Sequence, residues 1–535
     1  MTVFGLALEA PSASAAPVPT QVWSRTLPGA PVSESSPALV DLAGTGTLDA
    51  VFGAHDGRVY ALQAATGAST PNWPQPTLNS IDSSPSFADV DGDGRPELFV
   101  GTGTYRAAAG ALYSFGADGS LRFRKVLPDR VFSNPSVHST PAIGDVNGDG
   151  RLDLAFGTLG LESSWMLDNS SANLPGSPMY WNDTIFSSPA IVDVNNDGVS
   201  DVIIGGDASG GFPNFQKGGM VRALNGAQGQ LWQFLTNDII RSSPSVGDID
   251  GDGKLDVVFG TGDFWGGTDS TAVFALDAAS GNLKWKRSTD GVANGSPALA
   301  DVNGDGRLDV AFGTFNSTHG RGNGGSVYAL NGTNGNDLAG FPKPSGGGVV
   351  LGGVVTADVD GDGGQDLFVS TGALIAVVSG KTGAKLFNLG EGGGVGFFNS
   401  AAIADVDGNG RIDVIAAGTK AGTNNGVAFR WELDATAKLG AKGWHQFRRD
   451  GRRTGSWASG VADAATLAFN RVSGADRYAT AVAASNGFAG ADTVYVATGA
   501  SYADALAGGP AAAASGAPML LVANDQVPAS TRERL

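Results

Sequence analysis

The stretch "DVNGDGRLDLAFGT", Asp145 to Thr158, returns almost letter for letter as "DVNGDGRLDVAFGT", Asp301 to Thr314. Looser copies begin at Asp41, Asp89, Asp193, Asp248, Asp358 and Asp405. Spacings run from 47 residues (Asp358 to Asp405) to 57 residues (Asp301 to Asp358). Repetition at such a period means units that bury their apolar faces against one another. Each copy has the same anatomy. A small, apolar strand such as "SSPALVD" or "GSPALAD" leads into the Asp-rich loop. A second strand follows at once, as in "LDLAFGT" or "LDVVFGT". Most copies add a third strand ("RVYALQ", "MVRALN"), a turn, and a fourth strand bearing Trp or Phe ("QLWQFL", "NLKWKR").

Four short strands per roughly 50 residues, without helices, are the signature of a β-propeller blade. A lone four-stranded sheet leaves both faces bare, whereas radial stacking covers them and leaves only short edges. The fold predicted for residues 17–455 is therefore an all-β propeller. Eight loops indicate eight blades, with seven as the alternative if the degenerate first copy is not a full blade. "QVWSRTLP", Gln21 to Pro28, reads as a fourth strand with no first three before it. It is expected to complete the last blade and close the ring, with "GWHQFRRD", Gly443 to Asp450, competing for that place.

The loop template is D-x-[DN]-x-[DN]-G-x-x-[DE]. It resembles the first half of an EF-hand loop, with a glycine for the sharp turn at position 6 and a backbone carbonyl at position 7. Here the last carboxylate falls at position 9, already on a strand, so the reading is a compact calcium loop between two strands. The predicted ligand sets are Asp89, Asp91, Asp93, Arg95 and Glu97; Asp145, Asn147, Asp149, Arg151 and Asp153; Asp193, Asn195, Asp197, Val199 and Asp201; Asp248, Asp250, Asp252, Lys254 and Asp256; Asp301, Asn303, Asp305, Arg307 and Asp309; Asp358, Asp360, Asp362, Gly364 and Asp366; and Asp405, Asp407, Asn409, Arg411 and Asp413. Position 7 is chemically indifferent, as expected if only its carbonyl is used. Positions 3 and 5 exchange only Asp and Asn, which preserves an oxygen. Clustered carboxylates repel without a cation, and an all-oxygen set suits Ca²⁺. Asp, Asn and Gly also build metal-free Asx turns, but seven copies at fixed spacing favour about seven Ca²⁺ sites. The first copy, "DLAGTGTLD", keeps Asp41 and Asp49 but has Thr45 at position 5 and no oxygen at position 3, so it is expected to be empty or weak.

The loop followed by "FGT", in tandem, resembles the FG-GAP (VCBS-type) repeats of integrin α-subunit propellers and many secreted bacterial proteins. The resemblance implies a calcium-stabilised propeller used for adhesion or ligand binding. It does not imply an integrin ligand, because fold does not fix function.

Beyond a linker at 456–467 the register changes. "ADRYATAVAASNG" reads as a helix, "TVYVATG" as a buried strand, "SYADALAGGPAAAAS" as a second helix and "PMLLV" as another strand, the order of a partial, doubly wound α/β unit at 468–535. "RVSGADRYATAV", "VATGASYADALAGGP" and "APMLLV" resemble the type 2 cell-wall-binding repeat of Gram-positive surface proteins. That implies non-covalent anchoring to an anionic cell-wall polymer, with Arg471, Asp476, Arg477 and Asp504 at the family's polar positions. One copy is present where the family carries about three, and it reads as truncated.

Composition narrows the functions. A net charge of −18 argues against nucleic acid as a partner. The chain has 0 cysteines, so Cys-based zinc sites and nucleophiles are excluded. "MTVFGLALEAPSASAA", residues 1–16, reads as the tail of a secretory signal, and no stretch is apolar enough for a membrane span. His55, His138, His319 and His445 fall in no triad or metal spacing, so no catalytic residue is assigned. The expectation is a secreted cell-wall protein whose propeller takes a protein or glycan ligand. The alternative is a secreted polysaccharide lyase or hydrolase, which needs an open calcium beside a base, with the His319 and Arg321 loop as a contributor.

Overall fold

The structure is a computed structural model. The residues it describes run from Pro19 to Ala458, apart from 104–109, 129–134, 161, 182, 209–216, 227–228, 317–324, 346–351, 391, 393 and 441. Beyond Ala458 they are 481–482, 495–498, 519–522, 527 and 531. Residues 1–16, the His319 and Arg321 loop, and Arg471, Asp476, Arg477 and Asp504 lie outside the described residues.

Two compact units divide at Leu467 and Ala468. The first is an eight-bladed propeller. Its first strands are Ala38–Val40 (blade I), Ser86–Ala88 (II), Ala142–Gly144 (III), Ala190–Val192 (IV), Ser245–Gly247 (V), Ala298–Ala300 (VI), Val355–Ala357 (VII) and Ala402–Ala404 (VIII). Blades I to VII are each a four-stranded antiparallel meander in chain order. Blade VIII takes its fourth strand from the other end of the propeller: Thr20–Leu27 pairs antiparallel with Gly426–Glu432. The degenerate first copy is thus a full blade, and "QVWSRTLP" closes the ring.

The repeated phrase can now be read letter by letter. Phe52, Phe156, Phe259 and Phe312 are buried and stack on Tyr60, Trp165, Phe274 and Tyr328 of the third strand, at 5.1 to 6.2 Å between centroids. The following glycine is where the next blade presses in: a Cβ on Gly157 would collide with Ile185. The threonine clamps the next loop. Thr158 Oγ1 donates to Ser163 O (2.9 Å) and accepts from Ser163 N (3.2 Å). Between blades, indole N–H groups of fourth strands reach the neighbour's turn. Trp232 donates to Ala278 O, Trp285 to Gly332 O, and Trp23, across the closure, to Ala64 O. The closing seam therefore uses the same bond as the ordinary seams.

"GWHQFRRD" goes elsewhere. The segment from Lys438 to Trp457 runs through the middle of the ring. It accepts the backbone N–H of Phe87, Ile143, Ile191, Val246, Thr356 and Ile403, all on first strands, through Gly451, Arg452, Thr454, Gly455, Trp444 and His445. These strands are the inner edges of the blades, so the segment satisfies donors that would otherwise face a channel. Arg448 and Arg453 are fully buried. Arg448 donates to Pro189 O (2.7 Å) and Pro244 O, and Arg453 to Pro85 O (2.9 Å) and Pro37 O (3.2 Å). Two side chains thus tie four blades. Arg448, Arg449 and Arg453 all hold positive φ (57°, 71° and 57°), a conformation that persists only where surroundings over-determine it.

In the second unit Tyr495–Thr498 and Met519–Val522 pair in parallel. These are the two strands read from "TVYVATG" and "PMLLV", and the parallel pairing agrees with an α/β unit. Among the described residues no helix is long and apolar enough to cross a membrane.

Candidate metal centres and an axial cavity

The meander puts all eight Asp-rich loops, between first and second strands, at one end of the blades. In four of them positions 1, 3 and 9 converge. Asp89, Asp91 and Glu97; Asp248, Asp250 and Asp256; Asp358, Asp360 and Asp366; and Asp405, Asp407 and Asp413 each bring three carboxylate oxygens within 4.8 Å. The other three loops, Asp145–Asn147–Asp153, Asp193–Asn195–Asp201 and Asp301–Asn303–Asp309, carry an amide at position 3 and so hold two carboxylates there. Position 5 (Asp93, Asp149, Asp197, Asp252, Asp305, Asp362, Asn409) stands outside the trios. Its Oδ1 takes the N–H of position 7 at 2.7 to 2.9 Å. Arg95, Arg151, Lys254, Arg307 and Arg411 at position 7 are exposed, while Val199 and Gly364 show that no cationic side chain is needed there. In the first copy Asp41 bonds the amides of Thr45 and Gly46, and Asp49 accepts from Thr70. Among the described residues no acidic trio forms there.

The position-9 carboxylates are buried, and most are pushed up by it. Burial, against bonds from nearby backbone amides, raises Asp153, Asp201, Asp309 and Asp366 to about 7. Asp256 and Asp413 reach only about 6, because burial is opposed by Lys284 and Arg430. Three trios hold such a cation: Arg122 reaches Asp91 (3.2 Å), Lys284 reaches Asp250 and Asp256 (2.8 Å to the latter), and Arg430 reaches Asp407 (2.5 Å) and Asp413 (2.8 Å). In three of the remaining four loops buried oxygens are left without a partner: Asp201 Oδ1, Asp301 Oδ1, Asp309 Oδ1 and Asp358 Oδ1. Orphaned, buried, anionic oxygens on a tight turn are what a calcium ion requires, so these residues fit the ion.

The other end of the blades carries the loops between second and third strands and the residues that precede each first strand. The residue four places before each first strand varies from blade to blade: it is Glu34, Asp82, His138, Phe186, Arg241 and Asn294 in blades I to VI and Phe398 in blade VIII. Together they line a cavity of about 170 Å³ on the ring axis. Phe447, from the central segment, also lines it. Below these residues an arc of hydroxyls runs from blade VIII through blades I to V. Ser400 N donates to Ser36 Oγ, Ser36 N to Ser84 Oγ, Ser84 N to Thr140 Oγ1, Thr140 N to Ser188 Oγ and Ser188 N to Ser243 Oγ, at 2.9 to 3.1 Å. Each hydroxyl accepts from the neighbouring blade and still has a proton to give.

The cavity's charges are tied to one another. His55 Nε2 and Asp82 Oδ1 lie 2.5 Å apart, and His138 Nδ1 is 3.8 Å from Asp82 Oδ2. Burial alone would raise Asp82, but the bond to His55 and the two imidazoles hold it below its usual value. Burial lowers His138, whereas the Asp82 bond raises His55. The Arg241 guanidinium lies 4.6 Å over the Phe186 ring, and burial, only partly offset by Arg241, raises Glu34 and Asp207 to about 7. His55 and His138, which form no spacing in the chain, meet here. His445 instead bonds Leu439 O within the central segment.

Comparison with known proteins agrees with this architecture. Residues 89–156 match the FG-GAP-like repeat and residues 293–330 the FG-GAP repeat. Residues 471–534 match cell wall binding domain 2 (CWB2). A propeller of FG-GAP-like repeats joined to a wall-binding domain is the make-up of a cell-surface propeller protein. No curated protein sequence matches the chain. Among solved structures it is similar to the V. cholerae biofilm matrix protein Bap1, with 14% identity, a TM-score of 0.55, and 83% of this chain and 97% of that one covered. It is also similar to a europium-containing methanol dehydrogenase (12%, TM-score 0.52, 78% and 93%) and to the exotype rhamnogalacturonan lyase YesX (15%, TM-score 0.51, 82% and 78%). At such identities these likenesses concern the fold alone.

Proposed function

We propose that the protein is exported and held on the cell wall of a Gram-positive bacterium through its C-terminal unit, and that it presents a calcium-stapled propeller for adhesion or ligand binding. The observation that carries this is the pairing of the two modules on one chain. The wall-binding domain supplies affinity for an anionic polymer, and the propeller supplies a rigid disc with one variable face. Calcium is assigned to the seven loops from Asp89 to Asp413 by their shared spacing, and the acidic trios of four loops and the orphaned carboxylate oxygens of three support it. The ions neutralise loop charge and pin the turn between the first two strands. They take no part in a reaction in this reading. A lyase or hydrolase of the calcium-assisted kind needs a cation and a base in one cavity. Among the described residues the acidic trios and the axial cavity lie at opposite ends of the blades.

The test is sedimentation of the full chain with purified Gram-positive walls. Binding should survive calcium removal and disappear when anionic wall polymers are extracted. A chain that stays in the supernatant with intact walls overturns the anchoring.

A further inference from the structure

The axial cavity is a built site that none of the above uses. Its buried polar atoms lack partners: His138 Nε2, Arg241 Nε, Asn294 Oδ1 and Asn399 Oδ1 make no hydrogen bond. Asn399 is 2% exposed and lines the cavity, its amide nitrogen fixed by Ser33 O (2.9 Å) and Ala417 O (3.1 Å). Buried polar groups are almost always paired, and these four unpaired atoms belong to residues that line one cavity. They include both a donor and acceptors. A simple ion would suit only one kind, whereas a hydroxyl serves both. The arc of Ser and Thr hydroxyls adds further groups of the same dual character.

The same cavity presents the rings of Phe186, Phe398 and Phe447. Asp82 is already matched by His55 at 2.5 Å and by His138 at 3.8 Å, and the Arg241 guanidinium rests on the Phe186 ring. A ligand bringing its own net charge would unbalance these groups at the cost of a buried charge. Unlike the acidic loops, the described residues here offer no trio of carboxylates for a cation. At about 170 Å³, the space suits one small ring rather than a polymer segment. An uncharged ligand with several hydroxyls and an apolar face that can lie on a phenyl ring is a sugar.

We propose that the axial cavity binds one neutral sugar residue, most simply the end of a glycan chain, against Phe186 and Phe398, with His138, Arg241, Asn294 and Asn399 as hydrogen-bond partners. This deepens the reading of the propeller as a display module and rests on it for biological sense, although binding itself is independent of wall anchoring. The position also suits substitution. Blades that are otherwise alike place Glu, Asp, His, Phe, Arg or Asn there, so side-chain identity is not set by packing of the blade.

The experiment uses the full chain with calcium on an array of glycans ending in neutral, N-acetylated or uronic-acid residues, followed by titration calorimetry with the best neutral glycan. Neutral termini should bind. Phe398→Ala and Asn294→Ala should each weaken binding at least tenfold, with unchanged melting temperature and unchanged wall sedimentation. His138→Gln is a second variant if either folds poorly. No neutral glycan bound, uronate termini bound in preference, or affinity untouched by the folded variants would each overturn the proposal. Loss of wall sedimentation with glycan binding intact would overturn the anchoring and leave the cavity assignment standing.

Discussion

The two faces of the propeller are built from the same eight repeats and have opposite sequence statistics. On one, Asp, Asn and Gly recur at fixed spacing in seven of eight loops. On the other, the residue four places before each first strand changes in nearly every blade. Repetition marks what recurs from blade to blade, namely the acidic turn of seven blades, the stacked Phe of four, and the glycine and threonine that commonly follow that strand position. Variation marks what is needed only once. Stability should therefore respond to the acidic face and the central segment, and binding to the opposite face.

The largest effect should come from the metal. An ion at a hundredfold excess over its dissociation constant stabilises by about 2.7 kcal/mol, and several such sites on one domain shift the melting temperature by well over ~10 °C. Excess EDTA should produce that drop in a scanning calorimeter. An unchanged melting curve would break the comparison at its base.

Next comes the central segment. Arg453→Ala leaves the Pro37 and Pro85 carbonyls buried without a donor and opens a cavity between two blades. A loss of about 3 kcal/mol is expected in urea unfolding. Arg95→Ala, an exposed arginine of the acidic face, should stay within about 0.5 kcal/mol. Equal losses would mean that the segment is no more than another surface strand.

A pH profile separates the faces more finely. With EDTA present, Asp153, Asp201, Asp309 and Asp366 have folded-state values of about 7, above their ordinary value of 3.8. Their contribution is present at low pH and is lost as pH rises through about 7, so the ion-free protein should melt at a lower temperature at pH 8 than at pH 5.5. Calcium binds the charged form. The gap between melting temperatures with and without calcium should therefore widen as pH rises, and a gap that narrows would contradict the assignment.

The smallest effect distinguishes one loop from another. Lys284 sits on Asp250 and Asp256, where an ion would lie. Lys284→Ala should tighten calcium at that loop by roughly tenfold, visible in calorimetry as one site moving into the tighter class. Weaker binding would mean that the lysine holds the loop in shape rather than competing for it.

Much of this was legible in the chain. The strand order, the number of blades and the closure by "QVWSRTLP" followed from the repeat, because a propeller is nearly one-dimensional and each blade meets only its neighbours. The acidic loops followed from fixed spacing, although only the structure separates positions 1, 3 and 9, which converge in four of them, from position 5, which bonds the backbone. The central segment was not legible. "GWHQFRRDGRRTGSW" occurs once, without period, and its arginines earn their place only against prolines up to 416 residues away, as Arg453 does with Pro37. The cavity escaped for a related reason. Glu34, Asp82, His138 and Arg241 have no mutual spacing until the ring closes.

The central claim is that seven loops on one face hold metal and the first does not. The most direct test is equilibrium dialysis of the full chain against saturating calcium at pH 7.5, with metal and protein content determined on the same sample. The account predicts seven ions per chain, taking the net charge from −18 to about −4 once +14 is added. The loops at Asp145, Asp193, Asp301 and Asp358 should fill before those at Asp89, Asp248 and Asp405, where Arg122, Lys284 and Arg430 must first be displaced. One ion or none would contradict the account outright, and eight would show that Asp41 and Asp49 suffice without the missing oxygens.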